Sequence, residues 1–174
     1  MKRAVNCGLV KADNMKQAIL LLSFGTPRQP SDLLPYLTSI RRGKIPTERE
    51  LEVLTARYDA IGQWDNKLLQ TMGEEQKKTL ESLLKIDAMY LAYLHMPNSM
   101  EQAVESIAAA GYTSILCIVT SPFYSMVGTG AYERKLHSIL RAYPDISCEI
   151  IKSWWNRPQF FEYWRSQLMA ANPL

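Results

Sequence analysis

Four short apolar runs, separated by amphipathic helical patterns, restrict the fold of this chain more than any other feature. The runs cover residues 18–23, 88–94, 114–120 and 146–151. Apolar runs without alternation are typical of strands buried on both faces, and strands that alternate with helices favour a parallel sheet. We therefore predict a three-layer α/β fold, in which a four-stranded parallel sheet carries helices on both faces.

Helix boundaries between the runs are marked by capping residues. Thr47 with Glu50 and Ser99 with Gln102 have the spacing of a capping box, in which the two side chains satisfy backbone N–H groups at a helix start. Pro158 is suited to the first turn of the last helix, because a proline there loses no intrahelical hydrogen bond.

Two of the predicted helices carry apolar stripes. The helix over about residues 66–84 is expected to point four side chains inward: Leu69, Met72, Leu80 and Leu83. The helix that starts at Pro158 has an apolar face formed by Phe161, Trp164 and Leu168.

Chain length and composition fit one globular domain, since 47% of the 174 residues are hydrophobic. Residues 1–15 show no clean periodicity, and we expect a disordered leader or a start codon assigned too early, with Met15 as the true start. Residues 16–174 are then a single α/β domain. A net charge of +3 gives no broad basic face, which disfavours nucleic-acid binding.

The three cysteines, Cys7, Cys117 and Cys148, favour a reducing compartment. Their number is odd, two of them lie inside apolar runs, and none has the spacing of a zinc site. Apolar stretches such as Ala18 to Leu22 are far too short for a transmembrane segment. We therefore expect a cytoplasmic protein.

Candidate binding residues cluster near the carboxyl ends of the predicted strands, where parallel sheets bind ligands. The basic segment 41–44 has two interpretations: charges that complement a helix dipole, or an anion clamp built on Arg41. Arg57 with Tyr58 is a second candidate pair. Aromatic residues are plentiful near these strand ends, and with the arginines they suggest a flat apolar ligand that carries carboxylates: Phe24, Trp64, Phe123, Tyr124 and Tyr132.

His95 is a weak candidate for a metal ligand or base, because it follows the second predicted strand but has no partner at ligand spacing. His137 lies within a predicted helix and is expected to be solvated. A phosphate-binding loop and a nucleophile elbow are both absent from the sequence, so nucleotide binding and serine hydrolysis are disfavoured.

Several short motifs, in order, resemble the first half of a ferrochelatase. They are LSFGTP at 22–27, YLTSIRRGKIP at 36–46, RYDAIG at 57–62, MEQAV at 100–104 and SPFYS at 121–125. The resemblance is strongest to the coproporphyrin ferrochelatases of Gram-positive bacteria and covers about residues 16–167. It implies a chelatase-like fold, of which this chain is one flavodoxin-like half.

The resemblance implies insertion of ferrous iron into a porphyrin, either coproporphyrin III or protoporphyrin IX, in haem biosynthesis. Iron is then a substrate, and no cofactor is held tightly. The positions that match the family's porphyrin contacts are Phe24, Arg41, Arg57, Tyr58, Asp65 and Tyr132. We expect Arg41, Arg57 and Tyr58 to line one cleft together with Phe24 and Tyr132.

The sequence also departs from the family pattern. Relatives often have tyrosine where Phe24 stands, and phenylalanine has no oxygen to ligate iron. Asp65 replaces a family serine, and its charge would repel a propionate. The family's catalytic histidine and metal-binding glutamate lie in a second half, and neither can be carried over because this sequence stops at Leu174.

Three interpretations stay open at this point. The sequence is a ferrochelatase cut to its first half, which needs its second half as partner. Alternatively, it is a single-domain chelatase that pairs as a homodimer, as short cobaltochelatases of the same fold do. The third interpretation is a non-catalytic tetrapyrrole-binding or regulatory remnant.

Overall fold

The computed structural model describes residues 16–62, 64 and 68–171. The predicted leader over residues 1–15, Cys7 within it, and the candidate contact Asp65 lie outside these described residues.

The sheet has four parallel strands in the order β2-β1-β3-β4, which confirms the predicted fold class. The strands are β1 (Gln17–Ser23), β2 (Met89–Tyr93), β3 (Ser114–Val119) and β4 (Ser147–Ile151). Each apolar run of the sequence became one strand. β1 lies at the centre, where Leu20 pairs with Tyr90 on one side and with Cys117 on the other.

The helices connect the strands and cover both faces of the sheet. A single turn of 3-10 helix (Pro30–Asp32) leads from β1 into α1 (Leu33–Ile40), which is followed by α2 (Glu48–Ala60) and α3 (Leu68–Leu84). The remaining helices are α4 (Ser99–Ala109), α5 (Thr129–Leu140) and α6 (Pro158–Ala171).

The main core lies between one face of the sheet and helices α4 and α5. Alternate residues of β1 point to this face, and Leu20 and Leu22 are completely buried there. The helices contribute fully buried side chains to the same core: Met100, Val104, Ile107 and Leu136. Burial of this kind is the principal stabilising contribution in a domain of this size.

The opposite face of the sheet is covered less completely. Helix α3 approaches it most closely at Gly73, where a Cβ atom would lie 3.0 Å from Cδ2 of Leu91. Four side chains of α3 were predicted to point inward, but the buried contact is made by this glycine. The prediction is wrong for Leu69, Met72 and Leu83, which are exposed, whereas Leu80 is half-buried. Beside the helix, a groove of about 540 Å³ stays open over Leu21 and Ile118.

The apolar face of α6 is also exposed. Phe161, Trp164 and Leu168 lie on it as predicted, but half or more of each side chain is open to solvent. The aromatic residues of this region contact one another in a chain of ring pairs that continues into the loop after β3: Phe123, Trp154, Trp155, Phe160, Phe161, Tyr163 and Trp164. We call these residues the aromatic surface cluster.

One predicted capping box is confirmed and the other is wrong. Thr47 Oγ1 accepts a hydrogen bond from the Glu50 N–H at 3.3 Å, and Glu50 Oε2 accepts one from the Thr47 N–H at 2.7 Å. At α4 the N-cap is Asn98, in the left-handed conformation. Ser99 is already helical, and its hydroxyl accepts a hydrogen bond from the Tyr93 N–H, which ties the helix start to β2.

Cys117 and Cys148 are free thiols, as predicted; Cys117 is buried in the core, whereas Cys148 is half-buried. Burial raises the pKa of Cys148 to about 11, so this thiol stays protonated at neutral pH. Among the described residues no helix combines the length and the apolar character needed to cross a bilayer.

Candidate functional site

A cleft of about 1020 Å³ opens at the carboxyl ends of β1 and β2. The segment after β1 supplies Phe24, Gly25 and Thr26, and the segment after β2 supplies Met96 and Pro97. Parallel strands end at the same edge of a sheet, which is why two segments far apart in sequence meet here. The ligand site was predicted at these strand ends, and this cleft lies there.

Gly25 gives the segment after β1 its shape. Its φ of +89° is in the left-handed region that side chains disfavour. A Cβ atom at this position would lie 3.0 Å from both Cβ of Tyr93 and Cγ of Met96. The glycine therefore allows the two segments to approach each other, and this approach fixes where Phe24 sits.

Phe24 belongs to a small aromatic cluster at the edge of the cleft. Its ring centroid lies 4.4 Å from that of His95 and 6.5 Å from that of Tyr36, in edge-to-face geometry. Phe24 lines the cleft and is 47% exposed, so a flat ring placed in the cleft can contact it.

His95 follows β2 and lies against Phe24, half-buried. Its Nδ1 atom forms a hydrogen bond of 2.9 Å with Oγ of Ser39, which lies on α1. Burial, and then the positive charge of Lys135, lower the pKa of His95 below its ordinary value, so the imidazole is neutral at neutral pH.

Tyr36 and Tyr58 form the side of the cleft that α1 and α2 supply. Burial, and then the neighbouring Tyr58, raise the pKa of Tyr36 well above its ordinary value, so its phenol keeps its proton. Both tyrosines line the cleft, and Tyr58 packs against Trp64 with ring centroids 5.4 Å apart. Tyr36 was not among the predicted site residues, although its position three residues after Leu33 on an amphipathic helix was a usable signal.

The predicted arginines line a different groove, of about 620 Å³, between α1 and α2. Arg41, Arg49 and Arg57 lie around it. Nη1 of Arg41 donates to Oε2 of Glu50 at 2.6 Å. This bond, together with the Thr47 N–H, lowers the pKa of Glu50 to about 2.

Tyr132 does not line the cleft. It is 4% exposed and belongs to the core cluster on α5, where burial raises its pKa to about 12. The structure thus brings Phe24 and Tyr58 together in one cleft and Arg41 and Arg57 together in a neighbouring groove. The expectation of one cleft shared by all five residues is not met.

The described residues hold no cluster of three acidic, histidine or cysteine side chains that could bind a metal ion. His95 packs against Phe24 at the edge of the cleft, and its Nδ1 contacts Ser39. The arrangement can therefore hold a flat apolar ring against Phe24 and Tyr58, with guanidinium groups nearby for carboxylates.

Comparison with known proteins places this chain in a family. The ferrochelatase family model matches residues 16–172. The coproporphyrin III ferrochelatase of Staphylococcus aureus (strain Mu50) is 32% identical over 158 residues, and that of Staphylococcus epidermidis is 34% identical over 155. These alignments cover 88% and 86% of this chain but 51% and 50% of the relatives, so the chain spans about half their length. The chain belongs to the ferrochelatase family.

Proposed function

We propose that this chain binds a porphyrin in the cleft beyond β1 and β2, as part of the insertion of ferrous iron in haem biosynthesis. The observation that carries the proposal is the aromatic cleft at the carboxyl ends of two parallel strands, in a chain similar to coproporphyrin III ferrochelatases. Iron enters this proposal as a substrate. Coproporphyrin III is the preferred candidate, and protoporphyrin IX is the alternative.

The cleft and the neighbouring groove together offer a porphyrin two kinds of contact. The exposed ring of Phe24 and the ring of Tyr58 supply apolar surface for the macrocycle. The neighbouring groove supplies Arg41 and Arg57, and a guanidinium binds a carboxylate with two parallel hydrogen bonds. We propose that the ring lies in the cleft and that its propionates extend toward the groove.

Asp65 and Tyr132 stay weaker candidates for porphyrin contacts. Asp65 lies outside the described residues. Tyr132 lies in the core and would need a rearrangement of α5 to reach a ligand in the cleft. Tyr132 therefore cannot contact a porphyrin in the cleft in this conformation.

Iron insertion requires removal of the pyrrole protons and delivery of the metal to the ring. Phe24 has no ligating atom, and His95 is the remaining candidate for a base or iron ligand beside the cleft. We propose that a polypeptide of these 174 residues binds porphyrin but does not insert iron at a useful rate. A partner surface, either a second chelatase half or a second copy of the chain, would complete the site.

Binding is tested by titrating the purified chain with coproporphyrin III and, separately, protoporphyrin IX while following porphyrin absorbance. Phe24→Leu should weaken binding, because it removes the ring that faces the cleft. Phe161→Leu is the matched control, since it changes a similarly exposed phenylalanine in the aromatic surface cluster. Equal effects of the two substitutions, or no binding by the unmodified chain, would contradict the proposal.

Catalysis is tested by anaerobic incubation of the chain with ferrous iron and coproporphyrin III. We expect a rate of iron insertion near that of the protein-free reaction. General acid–base catalysis contributes roughly 10²- to 10⁴-fold to a reaction rate, and a chain without a well-placed base would lose that contribution. Rapid insertion that is lost in His95→Ala would instead favour a self-paired chelatase, and sedimentation would then have to show a dimer. Binding without insertion, even with a second half added, would favour a tetrapyrrole-binding protein.

A further inference from the structure

We propose that Arg49 is a further ligand-binding residue, which binds a carboxylate of the porphyrin beside the one bound by Arg57. This inference rests on the proposed function and deepens it, because it identifies which guanidinium groups of the groove between α1 and α2 are available to a propionate. Arg49 was not among the site residues predicted from the sequence.

The groove combines apolar side chains with an excess of positive charge. Arg41, Arg49 and Arg57 lie around it, and among the described residues that line it Glu50 is the one acidic side chain. Three guanidinium groups and one carboxylate give this lining a net positive charge. The same groove is lined by three apolar side chains: Leu37, Val53 and Leu54. Such a lining suits an anionic group that is attached to an apolar body.

The three guanidinium groups differ in whether they already have a counter-ion. Nη1 of Arg41 donates to Oε2 of Glu50 at 2.6 Å. Within the described part of the chain neither Arg49 nor Arg57 has an ion-pair partner, and both side chains are exposed. A ligand carboxylate that binds these two arginines therefore does not have to displace a protein carboxylate.

Arg49 and Arg57 lie on one ridge of α2, with Val53 between them. Residues four positions apart form such a ridge on a helix surface. The two arginines are separated by two of these steps, which corresponds to about 12 Å along the helix axis. This spacing allows each guanidinium to bind a separate carboxylate of the same ligand.

The position of Arg49 brings no benefit to the helix itself. It is the second residue of α2, in a first turn that also contains Glu48 and Glu50. The positive end of the helix macrodipole favours such acidic residues and disfavours a cation. A residue that is locally unfavourable and lines a charged groove is typical of a binding site.

Titration of the Arg49→Gln chain with coproporphyrin III tests this assignment. We expect the affinity to fall about fivefold, the effect of losing one exposed ion pair. The methyl ester of coproporphyrin III keeps the ring but has no charged carboxylates, so its affinity should be the same for both chains. The urea midpoint of Arg49→Gln should be unchanged or higher, because the variant removes a cation from the helix start.

Arg165→Gln is the matched control, because Arg165 is also an exposed helical arginine but lies on α6, outside the groove. This variant should bind coproporphyrin III with unchanged affinity. Three results would overturn the inference: an unchanged affinity in Arg49→Gln, an equal loss of affinity for the ester, or a lowered urea midpoint that shows a structural role.

The same titrations distinguish this inference from the proposed function. An unmodified chain that binds no porphyrin would reject both. Binding that Phe24→Leu weakens but Arg49→Gln leaves unchanged would keep the proposed function and reject the role of Arg49.

Discussion

The two faces of the sheet differ in how completely they are covered. On one face, helices α4 and α5 bury a continuous apolar core that includes Leu20 and Leu22. On the other face, α3 makes its closest approach at Gly73, and a groove over Leu21 and Ile118 stays open. The aromatic surface cluster adds further exposed apolar side chains.

The two faces have different roles: one stabilises the fold, and the other resembles a surface for assembly. The covered face accounts for most of the buried apolar surface and is expected to set the stability of the domain. The less covered face and α6 leave large apolar side chains in contact with water, which is typical of surfaces that bind another protein. A second chelatase half or a second copy, as proposed above, would have such a surface to pack against.

The largest expected effect tests the covered face. Leu20→Ala should lower the free energy of unfolding by about 3 kcal/mol, because Leu20 is fully buried and its truncation leaves a cavity. Leu168→Ala on α6 should change it by less than about 0.5 kcal/mol, since that side chain is 68% exposed. Urea unfolding measures both values, and similar losses would remove the distinction between the two regions.

A second pair of substitutions compares a crowded glycine with an open one. Gly25 and Gly43 have nearly equal φ values of +89° and +91°, but a Cβ atom at Gly43 would meet no atom within 4 Å. Gly43→Ala should cost about 1 kcal/mol for the backbone conformation alone. Gly25→Ala should cost about 2 kcal/mol or more, because the new methyl group also overlaps Tyr93 and Met96.

Urea unfolding of the two glycine variants gives this comparison directly. Equal losses would mean that the segments beyond β1 and β2 move apart easily, and that the cleft is less rigid than its contacts suggest. Ligand affinity would then have to include the free energy of ordering the cleft.

The smallest expected effect concerns the charge of Glu50. Its pKa is about 2 in the folded chain, below the ordinary value of 4.5, so its ionised form stabilises the fold. This contribution is fully present above about pH 4.5 and is lost as the pH falls from there through about 2. Glu50→Gln should therefore lower stability at neutral pH, and the difference from the unmodified chain should shrink on acidification.

Unfolding experiments at neutral and acidic pH measure that difference. A gap that stays constant with pH would show that the carboxylate charge contributes nothing beyond the shape of the side chain. Arg41→Ala serves as the companion variant, because it removes the donor that lowers the pKa of Glu50 most strongly.

The sheet could be predicted well from the sequence because strands that are buried on both faces consist mostly of apolar residues. Runs such as residues 18–23 are mostly apolar, and each of them forms a strand. Thr47 and Glu50 were also predictable, since a capping box is local. Contacts that depend on tertiary structure were not predictable: Ser99 bonds to Tyr93 in another element, and the spacing of its motif contains no information about that partner.

The candidate site was predicted only where its residues follow from the strand ends. Phe24 was found because it directly follows a strand, and its contact with His95 follows from two adjacent strand ends. The separation of Arg41 and Arg57 from the cleft depends on how α1 and α2 cross, which a single sequence does not encode in any local pattern. Tyr132 was misplaced because a buried tyrosine and a ligand-binding tyrosine look alike in sequence.

One oxygen atom, Oε2 of Glu50, has consequences for any ligand that approaches Arg41. It accepts hydrogen bonds from Nη1 of Arg41 and from both the N–H and the hydroxyl of Thr47. A ligand carboxylate that binds Arg41 must therefore exchange with an existing counter-ion, and its affinity there is the difference between two ion pairs. The displaced Glu50 would also loosen the first turn of α2, so faster hydrogen exchange at the Glu50 amide would report the arrival of the ligand.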